Sequence, residues 1–248
     1  HQQHKHEHGH DHHHKNGNDH SHGHDSNHGH QHDHENDQPE RHLSDILQII
    51  DNSLISENAK QLSTKIFRRL AAAEAQVHGN SIEEVHFHEV GAIDAIVDII
   101  GFAIAYDMAE INESCASAVP LGSGTVLSSH GKIQVPGPAV VKLITDAGAR
   151  TSNFQIPFEC LTPTGAAILC EIAAEWERVP AFDKILSTGY GAGNKDPQQW
   201  PNVCRVIIGV PALNSSAHSA TSGSSSNRFQ TEQVAVIEAN IDDQSPQA

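Results

Sequence analysis

Apolar residues recur at steps of three and four along one stretch of the chain: Ala59, Leu62, Ile66, Leu70, Ala73 and Val77. That period lines one face of a helix, with Ser56 placed as its N-cap and Gly79 as its stop. Ser81-Ile-Glu-Glu84 follows with the spacing of a capping box. Over residues 91–108 the apolar positions crowd together, and Ile93, Ile96, Val97, Ile100 and Ile104 predict a buried helix. Short extended pieces are expected at 117–121, 124–127 and 132–135. A helical pattern returns over 138–146, with Pro at its start and Gly148 at its stop. Thr162 then caps a helix that Pro163 opens and that runs through the apolar stretch 166–174. Strand-like runs at 183–188 and 202–209 close the pattern. Helices interleaved with short strands predict an α/β or α+β domain.

Nearly all of these positions fall within residues 43–211, the expected folded body. Residues 1–42 hold 16 of the 21 histidines and almost nothing apolar. A segment that buries so little cannot offset the entropy of ordering, so a disordered His-rich tail is expected. Residues 212–231, rich in Ser and Ala, read as a flexible linker. Residues 232–248 open with Val234, Val236 and Ile237 and read as the start of an incomplete C-terminal domain. The sequence begins with His1 and is read as a fragment of a longer chain.

Charge narrows the classes of partner. Fifteen Lys and Arg stand against 31 Asp and Glu, for a net charge of −16. Nucleic acid and anionic membrane both call for a cationic face, so neither is expected. No run approaches the roughly 18 apolar residues of a membrane span. Cys115, Cys160, Cys170 and Cys204 are far apart and form no C-x-x-C pair. They read as free thiols of a reducing compartment, which makes the cytoplasm the expected location.

Three groups of residues could carry chemistry. The first is the tract itself, as in His4-Lys-His6-Glu-His8-Gly-His10-Asp-His12, followed by His13 and His14. Imidazoles bind Ni²⁺, Cu²⁺ and Zn²⁺, and the interspersed acids can complete a coordination shell. Buffering or delivery of metal is the expected role, with no single metal encoded.

The second group is Val85-His-Phe-His-Glu89 with Asp94 and Asp98. If 85–89 is extended, His86 and His88 share a face while Val85 and Phe87 take the other. Asp94 and Asp98 are neighbours on the next helix, where two acids repel unless a cation or donor lies between them. His86, His88, Glu89, Asp94 and Asp98 are therefore candidate metal ligands. The plainer alternative has the acids in solvent and the histidines hydrogen-bonded locally.

The third group is a set of glycine-rich turns: Gly122-Ser123-Gly124, His130-Gly131, Thr162-Pro-Thr164-Gly165 and Gly189-Tyr190-Gly191-Ala-Gly193. Glycine lets backbone approach a ligand, and N–H groups at turns and helix starts bind phosphate. A small phosphate-bearing ligand is expected there, with His130 as a titratable group among the donors. No P-loop and no Gly-x-Ser-x-Gly elbow is present in the sequence.

Taken in order, the His-rich tract, His42-Leu-Ser-Asp45, Glu84-Val-His-Phe-His-Glu-Val-Gly-Ala-Ile-Asp94, Val119-Pro-Leu-Gly-Ser-Gly124, His130-Gly131, Leu161-Thr-Pro-Thr-Gly165, Gly189-Tyr-Gly-Ala-Gly193 and Glu238-Ala-Asn-Ile-Asp-Asp243 closely resemble the LarC-type nickel insertion proteins. The resemblance runs from the tract to the C-terminus. It implies a nickel chelatase that inserts Ni²⁺ into pyridinium-3,5-bisthiocarboxylic acid mononucleotide, making the nickel-pincer cofactor first associated with lactate racemase. CTP with Mg²⁺ or Mn²⁺ is the implied co-substrate, bound largely outside this fragment. Nickel would pass from imidazole and carboxylate to two sulfurs and a ring carbon, with His88, Glu89 or His130 removing the ring proton. The resemblance also suggests a homo-oligomer and, as partners, the upstream cofactor-synthesis enzymes and the apo-racemase. Members of this family normally begin before the tract and continue beyond Asn-Ile-Asp-Asp243. The competing expectations are a nickel or zinc storage or delivery protein and a nucleotide-binding module with incidental histidines.

Overall fold

The computed structural model describes residues 41–87, 93–128, 131–177, 180–195, 197–198, 201–212 and 233–239. The tract and the linker lie outside the described residues, as do the residues after 239. Among the described residues there are five α-helices: α1 (Leu43–Asn52), α2 (Glu57–His78), α3 (Ile93–Met108), α4 (Pro138–Asp146) and α5 (Pro163–Ile172). The strands are β1 (Arg41–His42), β2 (His86–Phe87), β3 (Ile111–Ala116), β4 (Thr125–Ser128), β5 (Gly131–Gln134), β6 (Ala173–Trp176), β7 (Phe182–Ala192), β8 (Val203–Pro211) and β9 (Gln233–Ala239). The fold is α/β, as the sequence pattern predicts.

The central helix α2 forms where the periodicity places it. Ser56 Oγ accepts the Ala59 N–H at 3.1 Å, and Gly79 ends the helix at φ +70, a conformation glycine adopts without cost. Ile66, Phe67, Leu70 and Ala71 are fully buried along its inner face, and each large side chain so buried is worth about 1.5–3 kcal/mol. Every other helix packs against α2. Two polar ties hold it to its neighbours. Ser56 Oγ and Asn58 Nδ2 both donate to Asp107 at the end of α3, at 2.6 and 2.8 Å, and hold its carboxyl below the usual range. Arg69 meets Glu171 of α5 at 2.8 Å through a half-buried ion pair.

The main sheet has the order β6-β3-β9-β8-β7. β6, β3 and β9 run parallel, whereas β8 and β7 join antiparallel. Its parallel half is covered: Val234, Ala235, Val236 and Ile237 are all buried. Its antiparallel half is open, and β7 is exposed from Asp183 to Ala192. Two small antiparallel ladders, β1 with β2 and β4 with β5, complete the set.

Three expectations change, and one helix has no counterpart in the pattern. The strand expected at 117–121 lies earlier, at β3, whose polar Asn112, Glu113 and Ser114 hide it from the hydrophobic pattern. Buried Ser114 is instead satisfied by Tyr106 of α3 at 2.8 Å, and burial pushes the Tyr106 hydroxyl up. β9 does not begin a separate sheet. It fills the gap between β3 and β8, so the apolar alternation read as another domain completes the centre of this one. Residues 41–42 belong to the body rather than to the tail, because their backbone pairs with β2. Finally, α1 carries Leu43, Ile46 and Ile50 into the core, a spacing that the polar residues around it obscure.

All four cysteines are free thiols; Cys115 and Cys170 are buried and the other two half-buried. Among the described residues no helix is long and apolar enough to cross a membrane.

Candidate functional site

The histidine strand is anchored by the residues that lead into it. The 3-10 turn Ile82–Glu84 leads into it, and the Glu84 carboxylate accepts the Ser81 N–H and hydroxyl at 3.2 and 3.0 Å, which lowers its pKa. Val85 and Phe87 are buried, so the strand is pinned to the core at alternate positions. His86 lies in β2 with its backbone paired to His42. His88, Glu89 and His130 lie outside the described residues. So do His10, His12, His13 and His14 of the tract. Asp94 and Asp98 stand on α3, both exposed, while Ala95, Ile96 and Ile99 turn inward. Among the described residues no three His, Cys, Asp or Glu side chains form a group able to hold a metal ion.

The four glycine-rich segments take different places in the fold. The 122–124 turn is stitched to a neighbouring stretch of backbone. Gly122 and Gly124 take φ of +79 and +95, and a Cβ on Gly122 would collide with the Phe158 carbonyl. Ser123 donates its N–H to Phe158 O at 3.3 Å and its hydroxyl to Ile156 O at 2.8 Å. Those donors are spent on the fold, and a phosphate would have to displace them.

Thr162-Pro163-Thr164-Gly165 is a helix start, as expected. Thr162 Oγ1 accepts the Gly165 N–H at 3.2 Å, and Pro163 occupies the first helical position. Thr164 stands in the first turn, where the positive end of the helix dipole lies. Gly131 opens β5 with φ +90, and its carbonyl accepts the Ser128 hydroxyl at 3.1 Å.

The fourth segment corrects the sequence reading. Gly189, Tyr190 and Gly191 form no turn; they lie within β7 and pair with Val206, Arg205 and Cys204 of β8. Extended backbone wins there because β8 supplies a continuous antiparallel partner. Tyr190 is two-thirds exposed, and nothing lies within 4 Å of a Cβ built on Gly189 or Gly191. Gly193 follows the strand and donates its N–H to Asn202 O at 3.3 Å.

Clefts among the described residues lie apart from these segments. A cavity of about 750 Å³ is lined chiefly by Ile133, Pro136, Pro138 and Val141, with Gln76 and Lys142 as polar members. A smaller one, about 380 Å³, is polar and includes Asn58, Lys65, Tyr106, Asp107 and Asn112. Sequence reasoning selected none of these. Their residues are distant in the chain and meet only through the packing of α2 on α3 and of α4 beside β5.

Comparison with known proteins supplies what geometry alone does not. The family model described as nickel insertion protein matches residues 3–248. A protein of Geobacter sp. (strain M21) named "Putative nickel insertion protein" is 44% identical over 212 residues, covering 85% of this chain and 50% of that one. A protein of Geotalea uraniireducens with the same name is 40% identical over 210 residues, with the same coverage. The pyridinium-3,5-bisthiocarboxylic acid mononucleotide nickel insertion protein of Geobacillus kaustophilus is 40% identical over 203 residues, 82% of this chain and 47% of its own length. The chain thus spans about half the length of the curated relatives it matches. No solved structure matches it. With a match from residue 3 to residue 248, this chain belongs to the nickel insertion protein family.

Proposed function

We propose that this chain takes part in inserting Ni²⁺ into pyridinium-3,5-bisthiocarboxylic acid mononucleotide, acting as part of a nickel chelatase. The observation that carries the reading is its 40% identity to the relative named for that reaction, together with the family match across the chain. Nickel and the thiolated mononucleotide are the substrates. The ion moves from imidazole and carboxylate ligands to the softer sulfurs of the nucleotide, in the direction set by ligand preference.

In this reading His86, His88, Glu89, Asp94 and Asp98 present nickel, and the base that removes the ring proton is His88, Glu89 or His130. The phosphate goes to the start of α5, where Thr164 and Gly165 stand in the first turn. Exposed Tyr190 with Gly189, Gly191 and Gly193 offers a surface to the pyridinium ring. CTP with Mg²⁺ or Mn²⁺ is the co-substrate, bound largely outside these residues. The upstream cofactor-synthesis enzymes and the apo-racemase are the protein partners, the assembly is a homo-oligomer and the location is the cytoplasm.

The test uses the full-length protein that contains this chain, incubated with Ni²⁺, the thiolated mononucleotide, CTP and Mg²⁺. A new nickel–sulfur charge-transfer band is expected, and its rate of appearance should fall about hundredfold or more in His88→Ala if that residue is the base. A wild-type protein that produces no band sinks the reading.

The histidine tract supports a second reading, storage and delivery of nickel or zinc. Deleting residues 1–40 separates the two. Insertion predicts a defect only when nickel is scarce, whereas storage predicts loss of metal-dependent function at any supply.

A further inference from the structure

We propose that the face of the Phe158 ring seats the pyridinium ring of the substrate, and that Lys195, which covers that face in the free protein, turns to the substrate's anionic groups on binding. This rests on the nickel-insertion reading above and names, within it, the aromatic contact and the cation of the substrate site.

Two glycines far apart in sequence place the pair. With φ +79 and no Cβ, Gly122 lets the Phe158 carbonyl come close, and the Ser123 N–H donates to that same oxygen at 3.3 Å. Gly122 also bridges Glu159, and the Cys160 N–H reaches Leu121 O at 3.5 Å. The backbone around Phe158 is thereby fixed. Across from it, Asn202 donates Nδ2 to Lys195 O at 3.1 Å and accepts the Gly193 N–H on its own carbonyl at 3.3 Å. A Cβ on Gly193 would stand 2.7 Å from Asn202 Nδ2, so glycine makes room for that amide. The outcome is Lys195 Nζ set 5.4 Å from the centre of the Phe158 ring. Two of the glycine-rich segments thus act as scaffolds for an aromatic–cation pair, with their N–H groups spent on backbone.

A ring face attracts a cation through its quadrupole, and only weakly where water reaches both partners. Phe158 is half-buried and Lys195 exposed, so their contact is easily exchanged. A pyridinium ring carries the same charge spread over a flat surface. It gains the attraction of cation for quadrupole and of one stacked ring for another, and so displaces an ammonium that water solvates strongly. Among the described residues no acid pairs with Lys195. Its flexible stem leaves the displaced ammonium beside the phosphate and thiocarboxylates of the bound molecule, whose negative charge the chain's own net charge of −16 disfavours. The chain leaves β7 at Ala192, shortly before Lys195, so Tyr190 and the β7 glycines border this seat.

The test uses the full-length protein that contains this chain, titrated calorimetrically without nickel. The ligands are the thiolated mononucleotide and its borohydride-reduced dihydropyridine form, which keeps the anionic groups and loses the ring charge. The pyridinium form is expected to bind at least about tenfold more tightly. Phe158→Leu should weaken the pyridinium form about tenfold and leave the dihydropyridine form within about twofold, whereas damage to packing would weaken both alike. Phe158→Trp should keep the preference, since Trp is the best cation–π partner. Lys195→Met keeps an unbranched stem without the charge. It should weaken both forms about fivefold and reduce the salt dependence of binding, because both carry the same anions.

Equal affinity for the two ring forms in a protein that inserts nickel overturns the seat and leaves the insertion reading standing. So does a Phe158→Leu variant that keeps the preference. A Lys195→Met variant that binds like its parent overturns the exchange of partners. A preference lost in Phe158→Leu, in a protein whose full-length form inserts no nickel, upholds the seat and overturns the insertion reading.

Discussion

The 122–124 turn and the 189–191 stretch of β7 share a Gly-x-Gly pattern in opposite surroundings. In the turn, positive φ and the approach of the Phe158 carbonyl leave room for nothing larger than glycine at 122. In β7, no Cβ at Gly189 or Gly191 would meet a neighbour, and φ lies outside the range that favours glycine. Glycine inside a strand costs stability through its extra freedom in the unfolded chain. The fold therefore demands the first glycine and has no use for the other two. That contrast makes β7, rather than the turn, the place where a glycine preference points to something outside the fold.

The largest effect that could break the contrast is Gly122→Ala, expected to lose about 3 kcal/mol in urea unfolding from strained φ and collision together. A loss below about 1 kcal/mol would mean that the turn relaxes easily and is not dictated by packing. Ser123→Ala should cost about 1 kcal/mol, since it leaves the Ile156 carbonyl without its donor.

A thiol sharpens the comparison from the packed side. Burial on α5 pushes Cys170 up to about 11, with Asp146 adding to the rise and Arg69 opposing it. An unfolded cysteine ionises near pH 8.5. Stability from this group is therefore complete below that pH and is lost as pH rises toward 11, at under about 1.4 kcal/mol per pH unit. Unfolding curves at pH 8, 9 and 10 check the sign, and Cys170→Ala should flatten that slope. The smallest stability effect belongs to the open region. Gly189→Ala and Gly191→Ala should each stay within about 0.5 kcal/mol of the parent, while nickel insertion slows about tenfold or more if the strand positions substrate. Unchanged turnover in both variants would remove β7 from the proposed substrate surface.

What could be read from sequence follows from how local each cause is. The caps of α2 and α5 were legible because Ser56, Gly79, Thr162 and Pro163 act on backbone within a turn or two. β3 was not, since its strand state depends on β6 and β9, which lie much later in the chain. The same reason hides β7: Gly-Tyr-Gly reads as a turn until β8 is laid beside it. At the candidate site, the His86 strand and the pair Asp94 and Asp98 on α3 were visible as spacing. Composition, averaged over 42 residues, assigns His42 to the tail because it cannot register that one member pairs with β2. Capping-box spacing from His42 to Asp45 was the signal that could have rescued it.

The position of β9 also bears on how the protein is made. On the ribosome, β3 emerges long before the strand that must lie between it and β8, and until residue 239 is available both neighbours carry unsatisfied inner edges in the middle of the sheet. Such a gap is a natural docking slot for a synthetic peptide spanning residues 233–239. A nascent chain halted short of that stretch is equally a natural client for a chaperone.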